Sequence, residues 1–201
     1  MFLGFGYFEP FHAFVSTALL QLLVLGWHAP LPPRRDAIAV PLTEDWRWRL
    51  AQWGQLLLVC ESIAVLVGGL VISIVGSTHV FVAEDLEYMQ TCTADIAAAN
   101  PRLLALVAHD RATFGGMLIS CGLVTLLTTL WGFGAGRSWL FTTLLYSGVV
   151  AYVCTIVVHF LVGYIDFFHL APAYAGLAVH ILALSLCGPY LLWAKYRDAT
   201  S

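Results

Sequence analysis

Long apolar stretches separated by short polar segments dominate the chain. Five of the stretches are long enough for a membrane-spanning helix, which needs about 20 apolar residues and at least about 17. They cover residues 11–27, 54–76, 113–133, 139–162 and 172–193. The pattern therefore predicts an all-α polytopic bundle of five transmembrane helices, which form a single integral membrane domain over residues 1–201.

Capping residues and prolines mark the expected helix boundaries. Pro172 is expected at the first helical position of the fifth span, where its missing N–H leaves no bond unmade. Asn100 and Pro101 make a cap and first-turn pair, which predicts a short surface helix leading into the third span. A further short helix is expected over residues 82–90, so that the polar loop 77–110 is partly helical.

Composition supports lipid as the solvent of this chain. The chain is 60% hydrophobic and only 10% charged, whereas soluble domains carry about 25% charged residues. A formal net charge of -3 and a single lysine, Lys195, argue against a nucleic-acid partner. The expected partners are the lipid bilayer and other membrane subunits.

The basic residues predict the orientation. Seven of the nine Lys and Arg residues fall on the side that holds the 29–45 loop, the 134–138 turn and the C-terminus. Because cytoplasmic loops carry the excess of Lys and Arg, the N-terminus is expected outside and the C-terminus in the cytoplasm. Loop 77–110 is then extracytoplasmic, in a bacterial-type inner membrane or a plasma membrane.

Histidines gather at the expected outer boundary. Five of the seven lie there: His12, His79, His109, His159 and His169. Neutral imidazoles with nearby carboxylates favour zinc, iron or copper. The hypothesis is a metal site made of His109, His159 and His169 with Asp110 or Asp166, and the simpler alternative is that these residues cap helix ends at the interface.

The same histidines also suggest haem. A haem b in a helical bundle needs two axial histidines on different helices, and His159, His180 and His12 are the candidates. His180 is expected about 12 Å inside the outer boundary, and Arg111 could pair with a propionate. Five spans with an outside N-terminus resemble, in layout alone, some respiratory cytochrome b anchor subunits.

Glu61 is the one acid within an apolar span. Intramembrane ionisable residues are expensive and usually functional. A hydrogen bond from Glu61 to Gln21, to Ser62 or to a hydroxyl on another helix is expected. It would serve as a proton relay or as a neutral link between helices.

Two classes of function follow from these patterns. The first is a membrane protein with an outward-facing His/Asp site that binds a metal or haem and carries out redox chemistry. The second is a non-catalytic subunit or scaffold that docks a partner through its polar outer face. Whether the protein is an enzyme stays open, and a transporter is a third, weaker reading.

Overall fold

The computed structural model describes residues 45–193 and, before them, residues 14, 17–21, 24–25 and 28. The chain divides into two compact units, Met1–Thr43 and Glu44–Ser201. Every described residue of the first unit is helical. Most of the first predicted span lies outside the described residues, as does His12, so that span stays a prediction.

The second unit contains six helices within residues 45–193. They are α1 Trp46–Thr78, α2 Ala83–Met89, α3 Thr93–Ala99, α4 Pro101–Gly132, α5 Ser138–Val162 and α6 Phe167–Leu191. Four of them, α1, α4, α5 and α6, are long and apolar enough to cross a membrane by length and composition. No strand occurs among residues 45–193, so the predicted all-α class is confirmed there.

Side-chain caps fix the helix starts. Asn100 accepts a hydrogen bond from the N–H of Arg102 at 3.0 Å and Pro101 occupies the first turn of α4, as expected. No separate surface helix forms, because α4 continues without a break from Pro101 to Gly132. The start predicted for the last span is also wrong: the Asp166 carboxylate caps the N–H of His169 at 2.6 Å, so α6 begins at Phe167 and contains Pro172.

Residues 79–100 form a folded connection between α1 and α4. The short helix expected over 82–90 is confirmed as α2, and its Asp85 carboxylate accepts a hydrogen bond from the N–H of Val82 at 2.9 Å. A second short helix, α3, follows and was not predicted. The end of the bundle that carries α2, α3 and residues 163–166 is called the loop end below, and the opposite end, with residues 133–137, the turn end.

Small residues let α1 and α4 approach closely. A Cβ atom on Gly69 would lie 2.7 Å from the carbonyl oxygen of Gly115, and one on Gly122 would lie 2.9 Å from the carbonyl oxygen of Ser62. The glycines recur every seven residues, at 69 and 76 on α1 and at 115 and 122 on α4. Such stripes bring helix backbones together in membrane proteins, and here they make α1 and α4 one antiparallel pair.

The other helices attach to this pair through α6. α6 packs against both α1 and α5, whereas α4 and α5 touch only sparingly. A buried apolar cluster near the turn end joins α1, α5 and α6; its members are Leu58, Leu140, Leu144, Ala183, Leu184, Cys187 and Leu191. Toward the middle of the bundle, the space between α4 and α5 is left as a cleft.

The two ends of the described four-helix unit meet at the turn end. The guanidinium carbon of Arg47 lies 4.8 Å from the ring centroid of Trp193. An even number of long helices between these residues is consistent with that contact. Which end of the bundle faces the cytoplasm stays a prediction, drawn from the basic residues.

That orientation is testable at Cys92. Cys92 is exposed at the loop end, at the start of α3, and it is expected to react with a membrane-impermeant maleimide in intact cells. A variant in which the other four cysteines are serine isolates its signal. Labelling that requires lysis would reverse the orientation.

Candidate functional site

A polar cluster at the loop end joins α2, α4 and the α5–α6 connection. The buried carboxylate of Asp85 pairs with the guanidinium of Arg111 at 2.5 Å and accepts a hydrogen bond from the Tyr164 hydroxyl at 3.1 Å. Burial, followed by the charge of Asp85 and the hydrogen bond to it, raises the pKa of Tyr164 to about 12. The phenol therefore keeps its proton at neutral pH and remains a donor to Asp85.

Two of the predicted ligand histidines meet beside this cluster. The ring centroids of His159 and His169 lie 5.3 Å apart, and Tyr164 lies 4.7 Å from His169. His159 Nδ1 is 2.7 Å from the carbonyl oxygen of Thr155. Because a carbonyl only accepts, Nδ1 carries the proton and Nε2 of the neutral ring is left with its lone pair.

The remaining predicted metal ligands have other partners. His109 is buried and its Nδ1 lies 2.9 Å from Asp110, whose side chain is mostly exposed. Asp166 caps α6. Within residues 45–193 and the described part of the first unit, no group of three or more His, Cys, Asp or Glu side chains has a metal-holding arrangement. The geometry thus gathers His159 and His169, and a shared metal stays a prediction.

The residues proposed for haem are also engaged. Both ring nitrogens of His180 make hydrogen bonds inside the bundle, so neither is open to an iron in this arrangement. Arg111 is paired with Asp85, and His12 lies outside the described residues. His180 is also deeper than expected: it follows Phe167 by 13 residues, about 20 Å along the helix, because α6 begins before Pro172.

A second polar cluster lies in the middle of the bundle, among apolar side chains. His180 Nδ1 is 3.0 Å from each carboxylate oxygen of Glu61, and the Tyr152 hydroxyl donates to Glu61 Oε1 at 2.6 Å. His180 Nε2 lies 3.0 Å from the carbonyl oxygen of Leu144. The side chains of His180 and Glu61 are only 4% and 8% exposed, so α1, α5 and α6 are joined by a buried hydrogen-bonded group.

Two glycines make room for this group. A Cβ on Gly148 of α5 would overlap the ring of His180, and a Cβ on Gly176 of α6 would lie 2.6 Å from the Tyr152 ring. Each glycine precedes one of these two rings by four residues on its own helix, in the order Gly148–Tyr152 and Gly176–His180. Because α5 and α6 are antiparallel, each ring fills the space beside the glycine of the other helix.

The hydrogen-bond partners of the Glu61–His180 pair place one of its protons and restrict the next to two positions. The Leu144 carbonyl can only accept, so His180 Nε2 carries a proton. The next proton lies between His180 Nδ1 and the Glu61 carboxylate, which gives an imidazolium with a carboxylate or two neutral groups. Both forms have zero net charge, as an apolar environment requires. The shared proton can therefore move between His180 Nδ1 and Glu61 without a change in the net charge of the pair.

The pair lies at the base of a cleft of about 450 Å³. α4 and α5 supply most of the lining, and α1 and α6 close the base. Apolar lining residues include Val65, Leu118 and Val124, and hydroxyl-bearing ones include Ser120, Thr128 and Thr155. A molecule bound there would meet Glu61, Tyr152 and His180 directly.

Sequence reasoning found this second site only in part. The predicted bond from Glu61 to a hydroxyl on another helix is confirmed by Tyr152. His180 was singled out for haem, and Tyr152 was missed because aromatic residues abound in the chain. The signal that could have found it is the glycine four residues before Tyr152 and before His180.

No protein-family model, curated protein or solved structure matches this chain. The candidate function therefore depends on the side chains themselves. Of the two clusters, the central one combines burial, an ionisable pair and an adjoining cleft, which is the combination that small-molecule sites show.

Proposed function

We propose that this protein is a membrane protein that couples the binding of a small, largely apolar molecule to the gain or loss of a proton. The single observation that carries the proposal is the buried Glu61–His180 pair, bonded to Tyr152 and open to the cleft. The pair holds the proton, and the cleft between α4 and α5 holds the molecule.

The cost of burying the pair supports a functional role. An ionisable group at the centre of an apolar helix destabilises insertion by about 2.5–3.5 kcal/mol on insertion scales. Replacing a buried ion pair by packed apolar residues is often neutral or stabilising. Helix association alone could be served by leucine at both positions, so the presence of Glu61 and His180 supports a role for their proton.

The geometry allows the proton to move. Glu61 Oε1 receives the Tyr152 hydroxyl while both of its oxygens lie 3.0 Å from His180 Nδ1. The bond from Tyr152 favours the form in which Glu61 is a carboxylate and its proton lies on His180 or has left the pair, since bonds to the charged form favour that form. Binding beside the pair changes its surroundings and so changes how strongly it holds the proton.

Infrared difference spectroscopy tests this proposal. A pH step applied to the protein in lipid is expected to change the carboxyl and imidazole bands of the pair. Glu61→Gln should remove the carboxyl change, and Glu87→Gln, at an exposed acid on α2, should leave it. A spectrum in which neither group changes between pH 4 and pH 10 would exclude proton exchange at this site.

A second candidate function is metal- or haem-linked redox chemistry at the loop end, facing outward. It is favoured by the neighbouring rings of His159 and His169 and by the fixed tautomer of His159, since metal-binding histidines are oriented by such bonds. An absorption spectrum with metal analysis of the purified protein should then show a Soret band or a stoichiometric metal. Loss of that signal in His159→Gln and in His169→Gln would assign it.

Non-catalytic docking of a partner subunit through the loop end is the remaining reading. If docking is the function, the absorption spectrum and metal analysis should show neither a metal nor a haem. The predicted location in an inner or plasma membrane applies to each of these candidate functions. It is inferred from the predicted orientation.

A further inference from the structure

We propose that the cleft binds a lipophilic ammonium ion, a protonated amine on an apolar body, in exchange for the proton of the Glu61–His180 pair. The inference rests on the proposed function and names its ligand class. It is carried by the hydrogen-bond acceptors in the cleft and by Glu61, the one acid among its described lining residues.

Three hydroxyl groups in the cleft walls already donate their protons within their own helices. The hydroxyls of Ser120, Thr128 and Thr155 donate to carbonyl oxygens four residues earlier on their own helices, at 3.0, 2.6 and 2.8 Å. A hydroxyl used in this way keeps its oxygen lone pairs as acceptors. On both α4 and α5, the walls therefore offer acceptors to a ligand.

The same holds for the base of the cleft. Ser62 donates to the Leu58 carbonyl at 2.6 Å, and both nitrogens of His180 are bonded. Tyr152 donates to Glu61. At the base, a ligand carboxylate or quinone carbonyl would thus find the donors of Ser62, Tyr152 and His180 already committed, whereas an ammonium group would find a carboxylate and several oxygen acceptors. The wall hydroxyls of Thr125 and Thr143 are not among these committed donors.

The charged residues around the cleft also favour an ammonium ligand. Among the described residues that line the cleft there is no Lys or Arg, and Glu61 is the one acid. The other titratable groups near the pair are Tyr152 on α5, which bonds Glu61, and Cys121 on α4, which lines the cleft. Cys187 on α6 lies in the buried apolar cluster near the turn end. The ammonium head would lie at Glu61, and its apolar body would lie along Val65, Leu118 and Val124.

Net charge then requires an exchange. Before binding, the pair is neutral as a whole. When the ammonium ion binds, the proton shared by His180 Nδ1 and Glu61 leaves to water, Glu61 stays as the carboxylate, and His180 keeps its Nε2 proton on the Leu144 carbonyl. The site is again neutral, and one cation has replaced one proton without a net charge in the apolar interior.

Calorimetry on the full-length protein in detergent tests the exchange, with phenethylammonium as the probe. Between pH 5 and pH 8 an alkylamine stays protonated, since the amine of lysine has a pKa of about 10.4. The affinity of the protein for phenethylammonium is expected to fall about tenfold for each unit of pH decrease, as long as the Glu61–His180 pair holds its proton. Buffers of different ionisation enthalpy should report release of one proton per bound ion.

Two matched compounds and three variants complete the test. Phenylethanol should bind more weakly and without proton release, and phenylpropionate should not bind. Glu61→Gln should abolish phenethylammonium binding, and Glu87→Gln should not change it. Thr128→Val removes one acceptor oxygen without touching the pair, so it should weaken binding several-fold while the infrared signal of the pair persists, which keeps the test open if Glu61→Gln folds poorly.

The outcomes separate this inference from the proposed function. Tighter binding of phenylpropionate than of phenethylammonium, or no ammonium binding while the pair still exchanges its proton in the infrared, would overturn the ligand class alone. Ammonium binding that is independent of pH would overturn the exchange. A pair that exchanges no proton at all would overturn the proposed function itself.

Discussion

Replacement of Glu61 by leucine is expected to lower the free energy of unfolding by about 3–5 kcal/mol, the range found when one partner of a buried pair is removed. The variant leaves His180 Nδ1 and the Tyr152 hydroxyl facing an apolar side chain. Unfolding in mixed micelles with increasing dodecyl sulfate would measure the loss. Tyr152→Phe removes one hydrogen bond and should cost only about 1 kcal/mol.

The double variant Glu61→Leu, His180→Leu distinguishes this account from a simple loss of packing. With both ionisable groups gone, only the Tyr152 hydroxyl is left without its partner, and most of the lost stability should return. A double-mutant cycle isolates the coupling between the two residues. If the two single losses simply add in the double variant, Glu61 and His180 are not coupled and the central site is misassigned.

Replacement of Gly115 by alanine should also destabilise the bundle strongly, by about 1–3 kcal/mol, because overpacking forces backbone shifts. A Cβ there would lie 2.6 Å from the backbone nitrogen of Ser73 and would overlap its hydroxyl. These are atoms of α1, so the α1–α4 pair would have to separate. Thermal unfolding of the variant in detergent gives the measurement.

Gly116, the next residue, provides a matched control for the Gly115→Ala variant. A Cβ on Gly116 would meet no atom within 4 Å, so Gly116→Ala should be neutral or slightly stabilising, since alanine favours a helix over glycine. The neighbours Gly68 and Gly69 repeat this contrast on α1: Gly68 is open, and Gly69 faces α4. Equal effects within each pair would contradict the helix contact described above.

Hydropathy predicted the bundle well because lipid-facing helices are apolar on nearly every side. Four of the five predicted spans lie within or nearly within helices of the structure. The errors fall at helix ends. Pro172 looked like a first residue, but the Asp166 cap starts α6 earlier, and the polar His109–Arg111 segment did not interrupt α4.

The two polar clusters were harder to predict. Which side chains meet depends on the rotation of each helix about its axis and on which hydrogen-bond partner each side chain finds. Counting residues from span ends placed His109, His159 and His169 at one height, and two of them do meet. Height alone could not show that Asp110 points to His109 or that Asp85 would pair with Arg111. His180 was seen as an isolated ligand, since nothing in its spacing relates it to Glu61, 119 residues away.

The sparse contact between α4 and α5 makes the protein divisible. The turn at 133–137 links two helices that hardly touch, while α6 reaches back to α1 through Glu61 and through Gly54, whose Cβ would lie 2.7 Å from the Ala183 carbonyl. Within residues 45–193, a cut in that turn would separate the α1–α4 pair from the α5–α6 pair. Their reassembly would depend on α1 and α6, which makes this turn the natural place for a split reporter or an inserted domain.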